Sequence, residues 1–184
     1  MKKILLGVVA VVVLLGGYLF TTYNKFVSLE EKIDSQWAQV ETQYQRRLDL
    51  IPNLVESVKG VMQQEQSVFG ALADARTKYA GAKTVDEKAA AATQVESSLG
   101  RLLVIVENYP QLRSSENVQT LMVQLEGTEN RIGVERGRFN DMVRDLNTSV
   151  KRFPGNIIAS KFGFSERAYF DAASGAENAP KVTF

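Results

Sequence analysis

The chain has no cysteine and no histidine among its 184 residues. The first absence removes disulfides, thiolate nucleophiles, cysteine-based zinc or iron–sulfur sites, and the thiol that lipoprotein processing requires. The second removes the commonest general base and the commonest metal ligand. Ser-His-Asp, Cys-His and His-Glu-x-x-His schemes therefore cannot be assembled, nor can the Glu-x-x-His pairs of a di-iron bundle. No Ser-x-x-Lys spacing and no phosphate-cradling glycine motif occurs. A surplus of one charge is also missing: 22 basic residues stand against 21 acidic ones. Setting Lys2 and Lys3 aside leaves 20 basic residues against those 21, so there is no basic face for nucleic acid, which is not expected as a partner. Acidic pairs such as Asp141 and Asp145 share a helix face, but Arg138 and Arg144 flank them, and intrahelical ion pairing explains them better than acid–base chemistry. No catalytic residue, cofactor or metal site is expected.

What the chain does have is one long apolar run. After Lys2 and Lys3 no charge appears before Lys25. The run is built from Ile4, Leu5, Leu6, Val8, Val9, Val11, Val12, Val13, Leu14, Leu15, Leu19 and Phe20 with small residues between them. As a helix, the uncharged stretch from Ile4 to Asn24 would be about 30 Å long, the thickness of a bilayer's hydrocarbon core. A cleaved signal peptide has a shorter apolar region, about 7–15 residues, followed by small residues at the cleavage site. Here the run ends Gly17-Tyr18-Leu19-Phe20-Thr21-Thr22-Tyr23, bulky where a peptidase needs small side chains. An uncleaved single-pass anchor is the expectation, with Tyr18 and Tyr23 suited to the headgroup layer. Lys2, Lys3 and the amino terminus outweigh Lys25 and Lys32, which favours a cytoplasmic N-terminus and an extracytoplasmic domain.

Beyond the anchor, apolar residues recur at helical spacing. Phe26, Leu29, Ile33, Trp37, Val40, Tyr44 and Leu48 alternate three and four apart, which keeps one stripe on one face. Leu54, Val58, Val61, Val68, Leu72, Ala75 and Tyr79 continue it. Thr84-Val-Asp-Glu87 reads as a capping box opening a third segment, with Val85, Lys88, Ala92, Val95, Leu99, Leu102, Val106 and Tyr109 in register. A fourth segment, about 116–152, carries Val118, Leu121, Leu125, Thr128, Ile132, Phe139, Met142, Leu146 and Phe153. Such heptads build antiparallel bundles or coiled coils.

Periodicity leaves one junction open. The stripe runs through Leu48-Asp49-Leu50-Ile51-Pro52-Asn53 without a break, yet Pro52 disfavours helix at Ile51 and Asn53-Leu-Val-Glu56 resembles a fresh cap. A hairpin with four helices and a long helix with an internal proline both fit. Gly133 and Gly137, four apart, either clear one face for close approach of another helix or loosen the helix locally. From Phe153 the heptads stop. Five of nine phenylalanines fall in 153–184, among them Phe153, Phe162, Phe164 and Phe170. A segment so aromatic should dock, on its own bundle or on a neighbouring copy.

Several motifs carry a resemblance. Trp37-Ala-Gln-Val40, the run from Gln45 through Ile51-Pro52-Asn53 to Gly60, Glu107-Asn-Tyr-Pro110, Thr128-Glu-Asn-Arg-Ile132 and Phe153-Pro-Gly-Asn-Ile-Ile-Ala159 with Phe162-Gly-Phe164 resemble the LemA family over the whole chain, anchor included. The resemblance implies a bacterial membrane protein with a four-helix bundle, hence a hairpin at Ile51-Pro52, and no defined activity. In their own right, Arg46 and Arg47 would clamp a helix end beside Asp49, and Glu129, Asn130 and Arg131 would form either a polar network between helices or a solvated face.

The expected fold is therefore all-α: an N-terminal transmembrane helix (1–24), an up-and-down antiparallel four-helix bundle (25–152) and an aromatic-rich tail (153–184). The expected function is a non-enzymatic, membrane-anchored interaction or scaffold protein that forms a homo-oligomer in the cytoplasmic membrane. The alternative is an adaptor for an envelope protein partner such as an envelope-stress protease. A hydrolase using two carboxylates is the least favoured reading. Expected partners are the lipid bilayer and further copies of the chain.

Overall fold

A computed structural model of the protein describes residues 1–62 and 64–170. The described residues form helices α1 (Lys2–Lys59), α2 (Gln66–Gly81), α3 (Val85–Glu107), α4 (Pro110–Arg113), α5 (Glu116–Lys151) and α6 (Gly155–Phe162), with no strand among them. The protein is all-α, as expected. Residues 171–184 of the expected tail, Phe184 included, lie outside the described residues.

The hairpin implied at Ile51-Pro52 is absent: α1 runs through Pro52 to Lys59. A proline inside a helix removes one hydrogen bond and crowds the carbonyl four residues back, at about 3 kcal/mol. Opposing that, the apolar stripe does not lose phase. Tyr44, Leu48, Ile51, Leu54, Val58 and Met62 are all buried, and each such side chain contributes about 1.5–3 kcal/mol when removed from water. The chain turns instead after Lys59, so the second expected segment is divided into the end of α1 and α2.

The described residues fall into two compact units. Unit 1 comprises Met1–Val40 and Glu135–Phe170, and so takes the start of α1, the end of α5, α6 and the stretch 163–170. Its core is Phe26, Ile33, Trp37 and Val40 from α1, Phe139, Val143 and Leu146 from α5, Ile158 and Ala159 from α6, and Phe170. Gly155 begins α6 because nothing larger fits: a Cβ there would lie 2.8 Å from the Ser149 carbonyl oxygen and 3.6 Å from the Phe26 ring. Gly163, at φ 81°, ends α6 in the left-handed region and releases the chain into the non-helical segment 164–170.

Unit 2 comprises Glu41–Val134. Here α2 and α3 form a close pair, joined through a loop that ends in the expected capping box. The Thr84 hydroxyl accepts from the Glu87 N–H (3.1 Å), and the Glu87 carboxylate accepts from the N–H groups of Lys83 (2.8 Å) and Thr84 (3.2 Å). Those backbone bonds hold the Glu87 carboxyl below its ordinary range. The α3 stripe is buried at Ala92, Val95, Leu99, Leu102 and Val106, and α5 adds Val118, Leu125 and Ile132.

Candidate functional sites: a buried arginine, a clamped strap and an exposed span

The twelve expected anchor residues lie in α1, and all are exposed. This stretch is long and apolar enough to cross a membrane, and none of its most apolar window is buried against the rest of the protein. The helix continues without interruption into the Phe26 stripe.

In unit 2 the notable group is Arg47, 1% exposed. It does not clamp a helix end, because there is no end near it. Its Nη1 donates to Glu96 Oε1 of α3 at 3.4 Å, and its Nη2 pairs with Glu129 Oε2 of α5. The Tyr44 hydroxyl donates to the same Glu96 oxygen at 3.1 Å. A guanidinium fork between two carboxylates on different helices fixes their register, since each alternative would strand a buried charge. Burial and the neighbouring Glu129 charge push the Glu96 carboxyl up to about 7, although Arg47 pulls the other way. Arg46, Asn130 and Arg131 are exposed; of the motif residues, Glu129 alone joins this network. Arg47 and Glu129 also line an open cleft of about 960 Å³ with Leu99, Leu103, Val106, Met122, Val123 and Leu125. Two carboxylates bridged by one arginine, in a mainly aliphatic cleft, are arranged to hold helices, and Glu96 is placed to take up a proton near neutrality.

In unit 1 the segment after Gly163 lies along α5 as a strap. Asn147 receives the Arg167 N–H on Oδ1 (2.9 Å) and donates from Nδ2 to the Arg167 carbonyl (2.9 Å). Asn140 does the same for Phe170, at 2.8 and 3.0 Å. Seven residues of helix rise about 10.5 Å, and three residues of extended chain span about 10 Å, so the two amides match every third residue of a near-extended chain running antiparallel to α5. Phe170 stacks on Trp37, with ring centroids 6.0 Å apart, while the Arg136 guanidinium carbon lies 4.3 Å from its centroid. Burial holds the Arg136 pKa down to about 10. Ion pairs Lys151–Glu166 (2.7 Å) and Arg167–Asp34 (3.3 Å) tie down the rest.

The other expected interaction residues are not gathered into one site. Phe164 is half-buried and stacks on Phe26 (5.0 Å), and Phe162 meets Tyr23 edge-on (5.1 Å) while remaining 52% exposed. Phe153 does not dock on any core and is 79% exposed. Gly133 and Gly137 are exposed, and beyond their own stretch of helix no atom of the described residues lies within 4 Å of where a Cβ would stand, so no helix among the described residues uses the space they leave. Asp141 pairs with Arg144 (3.1 Å), as expected, whereas Arg138 pairs with Glu135 (2.8 Å). Glu96, Asn140 and Asn147 were not anticipated. Their signals are in the sequence: Glu96 follows the stripe residue Val95, and the two asparagines repeat one heptad position next to Phe139 and Leu146.

A model of the LemA family matches residues 36–184. The match begins beyond the anchor, so it does not bear on residues 1–35, which the motif resemblance had included. The chain is 26% identical to two proteins of Paramagnetospirillum magneticum, "Magnetosome protein MamQ 2" and "Magnetosome protein MamQ 1", over 83% of this chain and 65% of theirs. It is equally similar to "Magnetosome protein MamQ" of Magnetospirillum gryphiswaldense. The chain thus spans just under two thirds of the length of these curated relatives.

Proposed function

The chain belongs to the LemA family, and from that premise we propose that it is a non-enzymatic, membrane-anchored interaction or scaffold protein of the bacterial envelope that assembles with copies of itself. The observation that carries this reading is the continuity of α1, whose stretch from Ile4 to Phe20 faces outward as hydrocarbon while the next turns enter a packed core. Such a helix confines a rigid unit to a plane, where weak self-contacts become productive. The space over Gly133 and Gly137 on α5, open among the described residues, supports a helix-to-helix contact between copies. Relatives named for the structure they belong to, rather than for a reaction, favour a component of an assembly. The reading carries a four-helix bundle in unit 2, built from the ends of α1 and α5 that enter it together with α2 and α3, each of which contributes a buried stripe. It also carries a cytoplasmic N-terminus in the inner membrane, with the folded part outside.

The mass of the full-length chain in detergent, measured across concentrations, tests it. An oligomer of fixed size is expected; a monomer throughout would remove self-assembly. The open aliphatic cleft of unit 2 favours a second reading, an adaptor that seats a segment of another envelope protein. In that case crosslinking in membranes would capture a second protein on residues 99–129 rather than another copy. Reporter fusions at Phe184, one active only in the cytoplasm and one only outside it, test the orientation.

A further inference from the structure

We infer that the corner between α5 and α6 is a second membrane contact, seated on an anionic bilayer surface beside the anchor; this rests on the anchor reading above. The purely apolar run of α1 ends at Phe20, and Phe26 lies about 9 Å further along the axis, close to the depth of a headgroup layer. At that level α1 is covered by α6: Phe162 packs on Tyr23, and Gly155 sits against Phe26. Phe153 lies nearer still to the span, lining a cleft with Tyr18, Thr22 and Lys25. Phe153 is 79% exposed and Ile157 is 60% exposed, although α6 buries Ile158 and Ala159 next to them. Large apolar side chains left in water at this one corner, continuous with a surface already meant for lipid, are placed to enter the boundary between headgroups and acyl chains. The charges agree. Lys25, Arg152 and Lys161 are exposed around the same corner, while Lys151 is held by Glu166 at 2.7 Å. Exposed cations flanking apolar side chains suit lipid phosphates.

A chain without cysteine allows a single spin label at any chosen position. Phe153→Cys, Ile157→Cys, Asn130→Cys and Val9→Cys would each be labelled in the full-length protein, reconstituted in phosphatidylcholine vesicles with or without phosphatidylglycerol. Positions 153 and 157 are exposed, so labelling them leaves the core intact. The expected result is a several-fold higher ratio of oxygen to nickel-chelate collisions at 153 and 157 than at 130, intermediate between 130 and 9 and higher with phosphatidylglycerol. Adding Lys25→Gln, Arg152→Gln and Lys161→Gln should abolish the difference between the two vesicle types. Ratios at 153 and 157 equal to that at 130, with position 9 deep in the bilayer, would overturn the inference and leave the anchor standing. Water-like collisions at position 9 would overturn both. Shielding from both colliders together with dipolar broadening between labels would replace lipid by a second copy, and equal depth on both vesicle types would overturn the assignment to anionic headgroups.

Discussion

The two units hold a packed neighbour against α5 with opposite chemistry, helices in unit 2 and a non-helical strap in unit 1. Unit 2 uses a charged fork, Arg47 between Glu96 and Glu129. Unit 1 uses neutral amides, Asn140 and Asn147, which read only main-chain groups, and it fills the space between with Trp37, Phe139 and Phe170. A buried charge pair loses much of its attraction to desolvation, depends on protonation, and leaves an uncompensated ion when broken. An amide clamp is indifferent to pH across the neutral range, because nothing in it titrates. Near neutral pH the fork of unit 2 is therefore the pH-sensitive contact, and the amide clamp of unit 1 the pH-insensitive one.

Removing the fork breaks that contrast most severely. Arg47→Ala should cost about 3–5 kcal/mol, since it leaves Glu96 without its cation. Amide hydrogen exchange on the full-length chain in micelles should show loss of protection in 41–134 with 135–170 retained. Equal loss in both units would mean that they do not open separately. The next effect is pH itself. Glu96 binds its proton more tightly folded, at about 7, than at its ordinary 4.5, so the stability it contributes is full below pH 4.5, falls as pH rises from there to 7, and is lost above it. Denaturant unfolding should show unit 2 weakening by roughly 2–3 kcal/mol across that window, and Glu96→Gln should flatten the slope.

In unit 1, Asn140→Ala with Asn147→Ala should cost about 2 kcal/mol and speed exchange at residues 164–170, equally at pH 5 and pH 8, because only main-chain partners are lost. A pH-dependent effect would show that the ion pairs of Lys151 and Arg167, not the amides, carry the strap. The smallest effect separates burial from bonding. The Tyr79 hydroxyl is buried and finds no hydrogen-bond partner among the described residues, and burial with the nearby Glu41 charge pushes its pKa up. Tyr79→Phe should be neutral or stabilising by about 1 kcal/mol, measured as the unfolding midpoint.

Much of this was legible in the sequence where one physical effect dominated. The apolar stripe located Phe26, Ile33, Trp37, Val40, Tyr44 and Leu48 in the core, because period alone decides which face turns inward. The cap at Thr84 was legible because its partners are local. Pro52 misled because two effects compete there: local propensity argues for a break, while burial of Ile51, Leu54 and Val58, which depends on other helices, argues for continuity. Phe153 continued the α5 register by spacing, yet the helix ends at Lys151 and the ring faces outward. The pairing of Arg47 with Glu96 and Glu129 was hidden for another reason: a spacing of 49 and 82 residues has no local signature.

No joint separates Phe20 from Phe26. A span leans when the bilayer is thinner than its apolar length. In a helix without a hinge that lean is not absorbed between the hydrocarbon and the core, so Phe26, Ile33 and Trp37 tilt with the residues below them. The first forty residues are in that sense a lever, and the thickness of the surrounding lipid becomes a mechanical input to unit 1.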